Sequence, residues 1–201
     1  MRSRLKVRPV LFVAAMMSIL IVAPARADTT GGPADFDGAY ANDVGGTVFV
    51  EVFRDNLNGG ALSLFVHLTT STPITCLDSS NGTLATEFAG SSPPASATFG
   101  SHLSSASASG LVTGTLTTTD SCAGTSIDTS ASHSASLILA GSKPITSTTT
   151  RTKTVNSDGT TTVLTSKFSQ TVATGDFSVD GTVMTATGAA IFHGLATERT
   201  H

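Results

Sequence analysis

TVFVEVFRDNLNGGALSLFVHL, residues 47–68, is the densest apolar stretch of the chain beyond its first 27 residues. Val48, Val50 and Val52 share one parity, as do Leu62, Leu64, Val66 and Leu68, so a side-chain period of two gives each of two strands an aliphatic face. Pairing Val52 with Leu62, Val50 with Leu64 and Val48 with Val66 keeps both rows together and leaves Asp55 to Gly59 as a loop rich in Asn and Gly. That register sets Phe49 opposite Phe65, an aromatic pair that contributes about 0.2–1 kcal/mol. With Phe53 nearby the second face is also partly apolar, so the hairpin is expected to be covered on both sides and to found the core.

The remaining sequence continues in strands. Thr72–Leu77 and Thr83–Ala89 flank a turn at Asn81-Gly82, where Asn81-Gly82-Thr83 is also an N-glycosylation sequon. Gly90 to Pro94 interrupts, Ala95 to Leu103 alternates thinly, and Ser104 to Gly110 reads as low-complexity Ser/Ala before a strand resumes at Leu111–Thr119. Ala131, His133, Ala135, Leu137 and Leu139 define one face of the next strand. A long hairpin follows, Ile145–Val155 and Thr160–Val172 about Asn156-Ser157-Asp158-Gly159, with Thr162, Leu164, Phe168 and Val172 on one face. Strands around Phe177–Val179 and Val183–Phe192 complete about eight to ten hairpin-connected strands and no helix. The expected fold is all-β, a single antiparallel β-barrel or β-sandwich.

Residues 1–27 carry the features of a cleaved signal peptide: Arg2, Arg4, Lys6 and Arg8, an uncharged run from Val10 to Val22, and Ala25-Arg26-Ala27 as a cleavage site. The run is short of the ~20 residues of a bilayer span, and no second one follows, so no integral membrane anchor is expected and the mature chain is placed outside the cytoplasm. The expected organisation is a leader at 1–27, a flexible acidic lead-in at 28–44 containing a surface turn at Asp35–Asp43, an all-β domain at 45–196 and a polar tail at 197–201. The D-x-D-G opening of that turn lacks the spacing and closing glutamate of an EF-hand.

Cleavage removes five of the eleven basic residues and none of the fourteen acids, leaving a net charge of −8. Such a balance argues against nucleic acid and anionic lipid as partners. Cys76 and Cys122, 46 positions apart without metal-type spacing, are expected to form one disulfide, stabilising by about 4 kcal/mol on loop-closure entropy.

No catalytic, nucleotide or cofactor motif is present, and no cofactor or metal is expected. The candidates for a cavity site are His133, on the apolar face of its strand, Glu51, between Phe49 and Phe53, and His67; His102, His193 and Glu87 are the remaining titratable residues considered there. With no Trp and one Tyr the chain lacks a sugar-stacking platform. The T-x-T ranks at Thr115–Thr119 and Thr146–Thr154 resemble the ice-binding faces of antifreeze solenoids over two strands, without the solenoid repeat, and read as exposed Thr-rich strands. The resulting expectation is a secreted, non-catalytic binding or cell-surface module, carrying a small apolar ligand or meeting an extracellular macromolecule. The alternative is an enzyme with His and carboxylate groups in a barrel cavity.

Overall fold

Alternating sequence closes here into a ring. The computed structural model describes residues 34–55 and 60–200, so the expected signal peptide lies outside the described residues. The strands are β1 (Ala34–Asn42), β2 (Val48–Asp55), β3 (Ala61–Thr75), β4 (Asn81–Ser92), β5 (Ser96–Phe99), β6 (Ser105–Asp120), β7 (Thr125–Gly141), β8 (Thr146–Val155), β9 (Thr161–Val179), β10 (Thr182–Thr185) and β11 (Gly188–Thr200). Hydrogen bonding runs β1-β2-β3-β4-β6-β7-β9-β11 and back to β1, antiparallel throughout, which makes the domain a barrel rather than a sandwich. The short β5 and β10 and the longer β8 attach where β6 and β9 outrun their ring partners. The end of β2 at Asp55, the start of β3 at Ala61 and the β8–β9 turn mark one end, called lower here; the β3–β4 and β6–β7 turns mark the upper end.

The founding hairpin forms, with its register moved by two residues. Val52 pairs with Leu64, Val50 with Val66 and Val48 with Leu68. A shift of two preserves the face, so the aliphatic rows still point inward, whereas a shift of one would have expelled them. Phe49 now faces His67 and Glu51 faces Phe65, yet Phe49 and Phe65 still meet diagonally, ring centroids 6.2 Å apart. No second layer covers the outer side of this hairpin among the described residues. Instead the rings cover their own sheet: Tyr40 stacks on Phe49, and Phe36 touches Phe53, Phe168 and Phe192. Gly38 and Gly194 make this layer fit, because a β-carbon on either would strike the ring of Phe192 or Phe36.

Two stretches differ from expectation for one reason, a narrow interior. An eight-stranded barrel leaves just enough room for its own side chains, so small residues suit its inner face. Residues 34–42, expected within a flexible lead-in and surface turn, form β1, with Ala39 and Ala41 fully buried inside. The Ser/Ala run opens β6, with Ala106 and Ala108 inward and Ser107 and Ser109 bonded outside to Thr98 and Ser96 of β5. The expected polar tail also pairs, since β11 continues to Thr200 against β9. The larger interior side chains, Leu64, Phe88, Leu137, Leu139, Phe177 and Ile191, are all buried and fill the lumen. Cys76 and Cys122 are bonded, joining the β3–β4 turn to the β6–β7 turn across the upper end.

Candidate functional site at the lower mouth

Inward parity on β1, β2, β9 and β11 continues below the apolar lumen, and there it delivers polar side chains. Asp37 is the direct cross-strand partner of both Arg54 and His193, and His193 is the partner of Ser169. Asp37 forms an ion pair with Arg54 and accepts a bond from His193 Nδ1 at 2.9 Å; Asp35 Oδ1 lies 3.2 Å from the same nitrogen. Arg54 also lies over the Phe99 ring, 5.4 Å from its centroid. Asp37, Arg54, Ser169 and His193 line a cleft of about 420 Å³ together with Ile145 and residues 99–103.

The floor of the cleft is a 3-10 turn, Ser101–Leu103, that plugs the barrel from below. His102 and Leu103 both take left-handed backbone angles, φ 54° and 57°, each at a cost of roughly 1–2 kcal/mol. Burial of the Leu103 side chain offsets that strain, and Gly141 permits it, since a β-carbon there would collide with the Leu103 carbonyl.

Asp35, Asp37 and His193 bring three ligand atoms within 4.8 Å of one another. Two carboxylates and an imidazole are a donor set that divalent transition metals accept. Arg54 already answers the charge of Asp37, however, and a dication would have to displace it. As it stands the cluster is a network of ion-pair and hydrogen-bonding groups suited to orienting a polar ligand.

The three residues singled out from the sequence do not meet. His133 does point inward, at the upper end, where its ring packs edge-on against Phe88 at 4.4 Å and its Nδ1 lies 2.6 Å from Asp180 Oδ2. Its Nε2 is buried without a partner. Asp180, at φ 49° in the β9–β10 turn, also accepts the Ser134 backbone N–H at 2.9 Å, so His133 anchors a turn. The His133 bond, supported by the bond from Ser134, holds the Asp180 carboxyl below its ordinary pKa. A lowered folded-state pKa contributes stability above the ordinary carboxylate range that is lost as pH falls through the lowered value. Asp180→Asn is therefore expected to flatten the acid limb of a melting-temperature profile, modestly because the carboxylate is half exposed; an unchanged limb would remove the anchor role.

Glu51 projects to the outside, away from the lumen, between Tyr40 of β1 and Phe65 of β3. Burial among the rings raises its pKa, and burial followed by the Glu51 charge raises that of Tyr40. A raised folded-state carboxyl pKa costs stability once pH climbs through the window above the ordinary glutamate value. Glu51→Gln is expected to melt higher than the wild type at neutral pH and to converge with it on acidification; a lower neutral melting temperature would contradict this. His67 also lies outside, 2.9 Å from Glu87.

Of the histidines noted in the sequence, only His193 and His102 reach the cleft. Its carboxylates and Arg54 had no distinguishing motif, although Asp35, Asp37, Ala39 and Ala41 do share the parity that now faces inward. Comparison with protein-family models, curated proteins and solved structures finds no match, so the assignment of this chain rests on its own geometry.

Proposed function

We propose that the chain is an extracytoplasmic, non-catalytic binding module that meets its ligand at the lower mouth of a filled barrel. One observation carries this reading: the lumen is occupied by the protein's own Leu64, Phe88, Leu137, Leu139, Phe177 and Ile191, while an open cleft lies at the mouth, where Asp37, Arg54 and His193 stand beside the apolar Phe99, Leu103 and Ile145. A lumen so filled does not favour the small apolar cargo that lipocalin-like barrels hold. The disulfide supports an oxidising compartment, and among the described residues no helix is long and apolar enough to cross a membrane.

Native mass spectrometry of the chain purified from its own culture medium tests the reading against the denatured mass. Equal masses are expected. A co-purified apolar molecule, lost on denaturation, would move the functional centre into the barrel.

The enzyme alternative retains one observation, the Asp37–His193 bond beside the Ser169 hydroxyl. Ser169 is bonded at 2.8 Å to Ser147 of β8, and His193 bonds to Asp37 rather than to Ser169 among the described residues, so the nucleophile-to-base link of a serine hydrolase is not formed in the cleft. A fluorophosphonate probe is expected to leave Ser169 unmodified; specific labelling would favour the enzyme.

A further inference from the structure

The net charge of the chain conceals a strong separation. Every lysine and arginine beyond the leader belongs to the lower end: Arg54, Lys143, Arg151, Lys153, Lys167 and Arg199. The upper end carries Asp43, Asp78, Asp120, Asp128 and Asp180, with no lysine or arginine among them. The pairing of β8, β9 and β11 places four of the cations on one sheet face. Lys153, Val163 and Arg199 form one cross-strand row, Arg151, Thr165 and Thr197 the next, and Thr149, Lys167 and Leu195 the third. The following row, Ser147, Ser169 and His193, enters the mouth cleft, so these cations stand on a ledge continuous with the proposed site.

All four cations are exposed and, among the described residues, none has an ion-pair partner. Val163 is nonetheless only 8 % exposed between Lys153 and Arg199, as happens when long cationic side chains lay their apolar stems along a neighbour and keep their heads in water. The nearest acids are otherwise placed: Asp35 ends the third row beside His193, Glu198 has the opposite parity, and Asp158 accepts bonds from Thr160 in the β8–β9 turn. Strand spacing puts the Lys153 and Arg199 backbones about 10 Å apart, and Lys167 lies about 14 Å further along the sheet. Threonine hydroxyls fill the intervals. Unpaired cations at this spacing, separated by hydroxyl donors, can each meet a different anionic group recurring along a chain, which one small anion cannot span.

We propose that this ledge binds a linear polyanion bearing phosphate groups, through charge and hydroxyl contacts. The inference rests on the binding-module reading and names the partner class of that site. The acidic upper end then works in its favour, repelling a polyanion everywhere except at the ledge.

Long-chain inorganic polyphosphate is the probe, titrated into the mature disulfide-bonded chain at several sodium chloride concentrations. Neutralising four phosphates predicts a slope of log affinity against log salt of about −3. Lys153→Glu with Arg199→Glu is expected to weaken binding at least about tenfold and to halve the slope roughly, since two of four contacts are lost. Thr83→Glu with Thr115→Glu, at exposed upper positions, is expected to leave binding within about twofold. Absence of binding, or binding indifferent to the reversal, would overturn the proposal. So would salt-sensitive self-association without polyphosphate that the reversal abolishes, which would assign the ledge to the acidic end of a second copy. These failures differ from failure of the binding-module reading, which a cargo in the native mass or a labelled Ser169 would signal.

Discussion

Phe88→Ala is expected to destabilise the barrel by about 3–5 kcal/mol and to open a cavity where the ring now packs. Phe88 is 1 % exposed and supports two neighbours at once: the His133 ring, and the backbone at Gly90, where a β-carbon would touch the Phe88 ring. A narrow closed barrel cannot collapse freely onto the space vacated, because its radius is held by the hydrogen-bond ladders of eight strands. The cost should therefore lie near the upper part of the range for aromatic truncations. His133 would lose its support, so the Asp180 turn should loosen with it, visible as faster amide exchange at residues 180–181. The variant should also take up benzene or xenon where the wild type takes up none, as dry apolar cavities do. Denaturant titration measures the stability change; a loss below about 1 kcal/mol would show that Phe88 does not set the packing of the lumen.

Replacing Cys76 and Cys122 together by serine is expected to cost up to about 4 kcal/mol, the loop-closure value for a separation of 46 residues. The folded-state consequence should be local. The bond joins the ends of two hairpins, β3–β4 and β6–β7, whose upper parts extend beyond the buried lumen and carry mostly exposed side chains. Few buried apolar contacts restrain those arms, so the sulfurs supply much of their cohesion. Gly82 lies against both sulfurs, which leaves no room for a larger residue without displacing the bridge. Hydrogen exchange in the double variant should accelerate most over residues 70–86 and 114–131, beyond the general acceleration that the lower global stability brings to the rest of the barrel. Uniform acceleration would instead mean that the bridge acts on the unfolded chain alone.

The parts of this fold that were legible in the sequence are those with bulky alternation. The hairpin of residues 48–68 and the strand bearing Leu137 and Leu139 stand where period two placed them; the long hairpin turning at Asn156–Gly159 also forms, but the row of Leu164, Phe168 and Val172 lies on its outer face while Val163, Thr171, Ala173 and Phe177 are buried. The parts that were not legible alternate with small residues. Ala106 and Ala108 contribute little apolar bulk, yet a narrow lumen asks for nothing larger, so their pattern passed for low complexity. In β1, aspartates hold the inward parity at the mouth and Gly38 interrupts the outward one, and this disguised a strand as a turn. The register of the founding hairpin was free to move by two because both registers bury the same rows. The cleft stayed hidden for a different reason: Asp37, Arg54 and His193 are brought together only by closure of the ring, which joins β11 to β1. The charge separation was hidden by summation, since an overall balance says nothing of which end each cation occupies.

Closure removes most free strand margins from this molecule, and β8 is where one survives. It pairs only with β9, and all ten of its residues are exposed. A ten-residue Thr-rich strand with an unpaired side is a template on which another chain can add a strand and start an aggregate. Arg151 and Lys153 stand on that strand, so the same charges that suit the ledge for a polyanion also keep copies of the protein from stacking edge to edge. Removing those charges without replacing them would convert a binding experiment into an aggregation experiment. Reversing their sign keeps the strand defended, and a bound polyanion, by neutralising them, should make the protein most prone to assemble at the point where phosphate and cation charges balance.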